Sequence, residues 1–196
     1  MSFARTHISF KQQVMLSLMI CALLVAAEAI NYSLDRALNV YGILPRSIEH
    51  LSGIFFAPFL HGNGRHFLSN ILPFFVFSLL VMQHGIIRYL LVTVGVTALG
   101  GILVWLLGRD ALHIGASGLV YGYFGFLLVA GFVSREFKLM LISALVWLTY
   151  GGIVYGILPT QPHISFESHL FGFMVGAIIG YKWGGVAVSR RKSIKH

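Results

Sequence analysis

The chain has 196 residues, of which 57% are hydrophobic and only 10% charged, with a formal net charge of +8. An ordinary soluble domain carries about 25% charged residues, so this composition, with its positive mean hydropathy, excludes a soluble globular enzyme and points to a polytopic membrane protein. No aromatic reading platform accompanies the basic residues, so nucleic acid is not expected as a partner.

A bilayer crossing needs about 20 predominantly apolar residues. In chain order, six runs approach that length: residues 14–30, 67–82, 86–108, 117–133, 139–157 and 170–188. The first follows Arg5 and Lys11 and ends in Ala27-Glu28-Ala29, which resembles a signal-peptidase site. The run is long for a signal core and helix-like sequence continues past it, so we read it as a retained span. Its lone Cys21 has no intramolecular disulfide partner and reads as a packing residue. Residues 31–66 form a long extracytoplasmic loop, and the remaining links are short and polar or contain Pro or Gly. The expected fold is all-α, a six-transmembrane-helix bundle in which residues 1–196 form a single membrane domain.

Six crossings place both termini on one side. Of the 14 Lys and Arg residues, Arg36, Arg46, Arg65 and Arg109 fall on the far side and the other ten on the terminal side. The positive-inside rule then puts both termini in the cytoplasm, for a multi-pass protein of the cell membrane. The Arg190-Arg191-Lys192 tail would face anionic lipid.

Polar groups at membrane depth are costly and mark function. Ser117 opens the fourth span within Gly115-Ala116-Ser117-Gly118, and His169 heads the sixth. A lone serine in a membrane helix usually bonds back to its own backbone, and glycines there often serve only close packing. Against that reading, glycines flank Ser117 on both sides. A glycine turn before a helix start frees N–H groups that, with the helix dipole, bind an anion. At about 100° per residue, His169, Gly172, Phe173, Gly176 and Gly180 share about 100° of arc, and Ser117, Gly118, Tyr121, Gly122 and Gly125 about 140°. The glycines form a small-xxx-small ladder, so the fourth and sixth helices are expected to pack together and bring serine to histidine. Upstream, His66 and Asn70 lie at i and i+4 on the second span's first turns, where both side chains offer hydrogen-bond donors.

As a set these residues resemble the rhomboid family of intramembrane serine proteases. His66-Phe67-Leu68-Ser69-Asn70 is similar to the family's His-x-x-x-Asn motif, Gly115-Ala116-Ser117-Gly118 to its Gly-x-Ser-Gly nucleophile motif, and Glu167-Ser168-His169-Leu170-Phe171-Gly172 to the segment that carries its base. The likeness runs from Gly42-Ile43-Leu44-Pro45-Arg46 through the last helix. It implies a Ser117 nucleophile, His169 as general base and then acid, and an oxyanion held by the Ser117 backbone N–H with His66 and Asn70. Tyr121 would pack on the base, with Gly115, Gly118 and Gly172 in support. It implies no cofactor and no acidic third member: Glu167 lies about 200° around the helix from His169 and reads as loop-facing. The substrates implied are transmembrane segments with helix-weakening residues near the outer interface. The Trp-Arg pair that many relatives carry in the first loop is missing, which puts that loop's stability and lipid contacts in question.

Polar residues crowd the outer ends of the fourth and sixth spans, among them His113, Thr160, Gln161, His163, Ser165 and Ser168, as a water-filled cavity open on that side requires. The fifth span and residues 159–162 are the expected gate. Two other readings are a rhomboid-like protein that binds membrane clients without cutting them, and a metal or haem protein ligated by some of the nine histidines. The second lacks His-Glu-x-x-His spacing and paired mid-span histidines; intact Ser117 and His169 speak against the first.

Overall fold

Ser9 starts the first helix. Its hydroxyl accepts from the Gln12 N–H while the Gln12 carboxamide accepts from the Ser9 N–H, a reciprocal capping box, so α1 (Phe10–Ser33) begins ahead of the apolar run at 14. The structure, a computed structural model, describes residues 8–160 and 164–193, with side chains as far as Lys182. The inward residues of α1 are Gln13, Ser17, Cys21, Leu24, Glu28 and Asn31. Steps of three and four put them on one face, while Met15, Leu18, Leu23 and Val25 point outward. Four of the six inward residues are polar and the outward face is apolar, the reverse of a soluble helix.

The long segment after α1 is not a bare loop. It holds 3-10 turns at Ala37–Tyr41, Ile48–His50 and Ala57–Phe59 and the short helix α2 (Gly53–Phe56). Its backbone is sewn to the stretch before the fourth crossing. Ile43 and His113 exchange two backbone hydrogen bonds of 3.0 and 2.8 Å, and the Gly115 N–H donates to the Ala57 carbonyl at 2.8 Å. The Trp105 indole N–H donates to the Ser47 carbonyl at 2.8 Å, and Arg46 pairs with Asp110. These bonds anchor a loop without the Trp-Arg pair, because they satisfy backbone groups that would otherwise be stranded near lipid.

Asn63 caps α3 (Gly64–Met82), accepting from the His66 N–H at 2.9 Å. The next crossing is continuous but not uniform: α4 (Ile86–Gly95) widens into a π-helical turn at Val96–Gly100 and resumes as α5 (Gly101–Leu107). Then come α6 (Ser117–Ser134), α7 (Phe137–Tyr150) with a 3-10 continuation at Gly151–Ile157, and α8 (Phe166–Ser193). The fifth crossing, expected as one helix over 139–157, tightens where Gly151 and Gly152 interrupt the bulky apolar run.

Five helices among the described residues are long and apolar enough to cross a membrane: α1, α3, α4 with α5, α6, and α7 with its 3-10 turn. α8 packs along α6 beside them. The result is an all-α polytopic bundle. At its centre, Tyr123, Phe124, Phe126 and Leu127 of α6 are fully buried against Phe74 and Phe77 of α3 and Tyr89 and Val92 of α4. On its other side α6 meets α8 backbone to backbone: a Cβ added at Gly172 would overlap the Gly118 carbonyl, and one at Gly176 the Gly122 carbonyl. Without a hydrophobic driving force between helices in lipid, such close approach supplies the van der Waals contact that joins them.

Candidate active site

The turn ahead of α6 is shaped by Gly115, whose φ of +118° lies in a region that side chains other than glycine's disfavour. A Cβ there would also stand 2.8 Å from two atoms of the His66 ring and 3.7 Å from the Ser117 hydroxyl oxygen. His66 and Ser117 therefore border the same glycine. Ser117 is the first residue of α6 and only 7% exposed, and among the described residues its hydroxyl makes no hydrogen bond. Back-bonding to the helix does not occupy it, and its N–H belongs to the first turn, whose donors have no partner within the helix.

One helical turn on, the Tyr121 ring stacks on the His169 ring with centroids 4.0 Å apart and planes 5° from parallel. Serine hydroxyl and imidazole are thus carried to the same end of one α6 face. They are not hydrogen-bonded to each other. The imidazole is instead held from the far side, its Nδ1 2.8 Å from the Gly156 carbonyl. A carbonyl only accepts, so the proton sits on Nδ1 and Nε2 keeps its lone pair. The Tyr121 hydroxyl donates to the Ile153 carbonyl at 2.7 Å, in the same 3-10 turn.

Asn70 is buried, and its amide donates to the His66 carbonyl at 2.9 Å. That bond stays within α3 and leaves the second amide proton uncommitted. Glu167 faces the 108–116 loop, as the sequence reading has it, but from a buried position in the first turn of α8. It accepts from the Arg109 N–H at 3.3 Å and pairs with the Arg109 guanidinium at 3.5 Å. The reason is Arg109, which is brought over the start of α8 and also donates to the Ile164 carbonyl at 2.5 Å.

Of the polar residues expected to line a watery cavity, His113, Ser165 and Ser168 bond one another, and His113 and Ser168 also line a crevice. His113 Nδ1 lies 2.5 Å from the Ser165 hydroxyl, which lies 2.6 Å from that of Ser168. Burial foremost holds the His113 imidazole below its ordinary pKa. Thr160 is exposed, and Gln161 and His163 lie outside the described residues. A crevice does reach the glycine turn from behind, between Ala57, Pro58, Thr97, Gly100, Gly115 and Ser168. Among the described residues no three His, Cys, Asp or Glu side chains converge as a metal-ligand set.

Three groups escaped the sequence reading. His61 is fully buried, and its Nε2 accepts the Ala116 N–H in a long bond of 3.4 Å. Burial first, then His66 and Arg36, lower its pKa to about 3, so the ring is neutral. Glu28, seen in sequence as part of a leader-like tripeptide, lies in the last two turns of α1 and pairs with Arg36 at 2.7 Å; an acid inside an apolar run was the signal. The Gly156 carbonyl left no side-chain signal at all.

Residues 49–185 match the family model for the Rhomboid domain. The chain belongs to the rhomboid family, a family of intramembrane proteases, and is a multi-pass membrane protein. It is 36% identical over 169 residues to Rv1337 of Mycobacterium tuberculosis, covering 82% of this chain and 70% of that protein. It is 35% identical over 170 residues to ML1171 of Mycobacterium leprae, covering 82% and 67%. A Bacillus subtilis protein named "Putative rhomboid protease YdcA" is 29% identical over 129 residues, 62% of each chain.

Proposed function

We propose that the protein is a serine endopeptidase that cuts transmembrane segments near the outer face of the cell membrane, with its termini in the cytoplasm. The observation that carries this reading is the buried Ser117 hydroxyl, free of hydrogen bonds among the described residues and one turn from Tyr121, which stacks on an imidazole whose Nδ1 is tied to the Gly156 carbonyl. Nε2 of His169 takes the Ser117 proton as the hydroxyl attacks a peptide carbonyl. The tetrahedral oxyanion is held by the Ser117 N–H, His66 and an Asn70 amide proton. The imidazolium then protonates the leaving amine, and water resolves the acyl-enzyme. In this dyad the Gly156 carbonyl does the orienting that a carboxylate does in a triad.

A helical substrate hides its carbonyls in its own hydrogen bonds, so segments weakened by Gly, Pro or small residues are preferred. They enter past α7 and the turn that follows it. A crosslink that pins the Gly151–Ile157 turn to α6 should stop cleavage of a transmembrane substrate; full activity in the pinned protein would remove the gate. The nucleophile is tested by treating purified protein with a fluorophosphonate and mapping the adduct by mass spectrometry. Modification at Ser117, absent after prior denaturation, is expected. An unmodified, folded protein would leave the client-binding reading in its place.

A further inference from the structure

Behind the serine turn, two buried titratable side chains take no part in the chemistry proposed above. Glu28 reaches inward from α1; one carboxylate oxygen receives the Arg36 guanidinium at 2.7 Å, and the other stands 3.7 Å from Nδ1 of His61. That oxygen and that nitrogen are both buried, and neither has a hydrogen-bond partner among the described residues. The opposite nitrogen of the same ring, Nε2, lies 3.4 Å from the Ala116 backbone nitrogen. An N–H is accepted only by an unprotonated ring nitrogen, so the His61 proton belongs on Nδ1, facing Glu28. A slight closing of the gap then satisfies both buried atoms at once. The ring is not free to turn away, since it meets His66 edge to face at 5.2 Å and Phe67 at 5.1 Å. The backbone carbonyl of His61 is held too, by Arg36 at 3.1 Å and Asn39 at 3.3 Å.

We propose that Glu28 is a positioning residue: its carboxylate fixes the His61 tautomer, so that His61 holds the Gly115–Ala116 peptide and the His66 ring in place for the oxyanion formed at Ser117. The inference rests on the Ser117 reading for its consequence, not for its geometry. A carboxylate is required because two donors converge on Glu28, the Arg36 guanidinium and the His61 Nδ1–H, and only a carboxylate offers an acceptor on both oxygens. Glutamine offers one acceptor and one donor. Placed to accept from Arg36, it turns an N–H toward His61 and drives the ring proton to Nε2, where it opposes the Ala116 N–H. The logic is that of a carboxylate orienting a catalytic histidine, applied here to the oxyanion side of the site.

The test uses the purified full chain. Nitrogen-15 NMR of selectively labelled histidine reads the His61 tautomer, with a His61→Gln spectrum to assign it. Wild type should show the proton on Nδ1, and Glu28→Gln should move it to Nε2. In parallel, fluorophosphonate modification of Ser117 is followed as a rate against probe concentration. Glu28→Gln should lower the limiting rate by about tenfold to hundredfold, as loss of an orienting outer partner does elsewhere, with the half-saturating concentration unchanged. A loss caused by general loosening would move both, along with the melting temperature. A His61 proton on Nε2 in wild type overturns the proposal without need of any variant, and so does an unchanged limiting rate in a folded Glu28→Gln protein. Wild-type protein that is folded but never modified at Ser117 instead overturns the nucleophile assignment, and the tautomer measurement then still decides the role of Glu28.

Discussion

The α6 and α7 crossings are near-equal in hydropathy, yet 67% of the most apolar window of α6 is buried against protein and only 11% of that of α7 with its 3-10 turn. Bulky residues of α7 such as Leu145, Trp147 and Leu148 face outward, whereas α6 is enclosed by α3, α4 and α8. In lipid, apolarity does not sort helices by position, because the tails are as apolar as leucine; small residues that admit a neighbouring backbone do. The two helices then take different parts in the site. Ser117 stands on the most enclosed of the five spans found among the described residues, while the carbonyls that grip Tyr121 and His169 come from the end of the least enclosed of them. Segments with few buried contacts open locally at the lowest free energy. Displacing the Gly151–Ile157 turn would release Tyr121 and His169 together, so in the proposed mechanism substrate entry and the aim of the base share one element.

That contrast can be broken at several points. Ser117→Ala should abolish cleavage of a transmembrane substrate, a loss on the order of 10⁶-fold by analogy with other serine hydrolases, with an unchanged melting temperature in detergent; His169→Ala should do the same. Persistent cleavage by purified Ser117→Ala protein would place the chemistry elsewhere. Next in size, His66→Ala and Asn70→Ala should each retain partial activity, with kcat lowered by about 3 kcal/mol of barrier or less. Gly176→Ala attacks the enclosed side: its methyl must displace the Gly122 carbonyl. A stability loss of about 1–3 kcal/mol, typical of overpacking, should appear in a thermal melt. The matching change on the open side, Leu148→Ala at a residue 78% exposed, should stay within about 0.5 kcal/mol. Between them, Tyr121→Phe keeps the ring against His169 and deletes the bond to Ile153. A neutral hydrogen bond is worth about 0.5–1.5 kcal/mol, so a several-fold change in kcat is expected, and none at all would show that the turn does not steer the base.

The bundle was legible because a membrane span announces itself by length and apolarity alone, and the α6 and α8 interface because its glycines recur every fourth residue. The first loop was read only as a long loop, without its internal order. Its order comes from backbone bonds such as Ile43 with His113, which leave no trace in residue type. The fifth crossing was misread in its last turns, where glycines admit a 3-10 turn without announcing it. Glu167 was placed toward a loop from its angle on the helix, and it does face one; its pairing with Arg109 was not legible, because Arg109 arrives from a remote stretch of chain. Glu28 stood in plain view as an acid among apolar residues, but its meaning depended on Arg36 and His61 arriving from a different part of the chain.

By itself the amino-acid order determined the class of molecule, the number of long apolar runs, the motifs Gly-Ala-Ser-Gly and His-x-x-x-Asn, and the pairing of the two glycine-lined helices. These follow from local composition and from helical periodicity, which need no partner to be read. Only the tertiary structure decided which carbonyl holds the His169 imidazole, which crossing is enclosed and which open, and what the buried carboxylate of Glu28 faces. Each of those is a relation between segments remote in sequence, set by the requirement that buried polar groups find partners, and no single stretch of chain contains it.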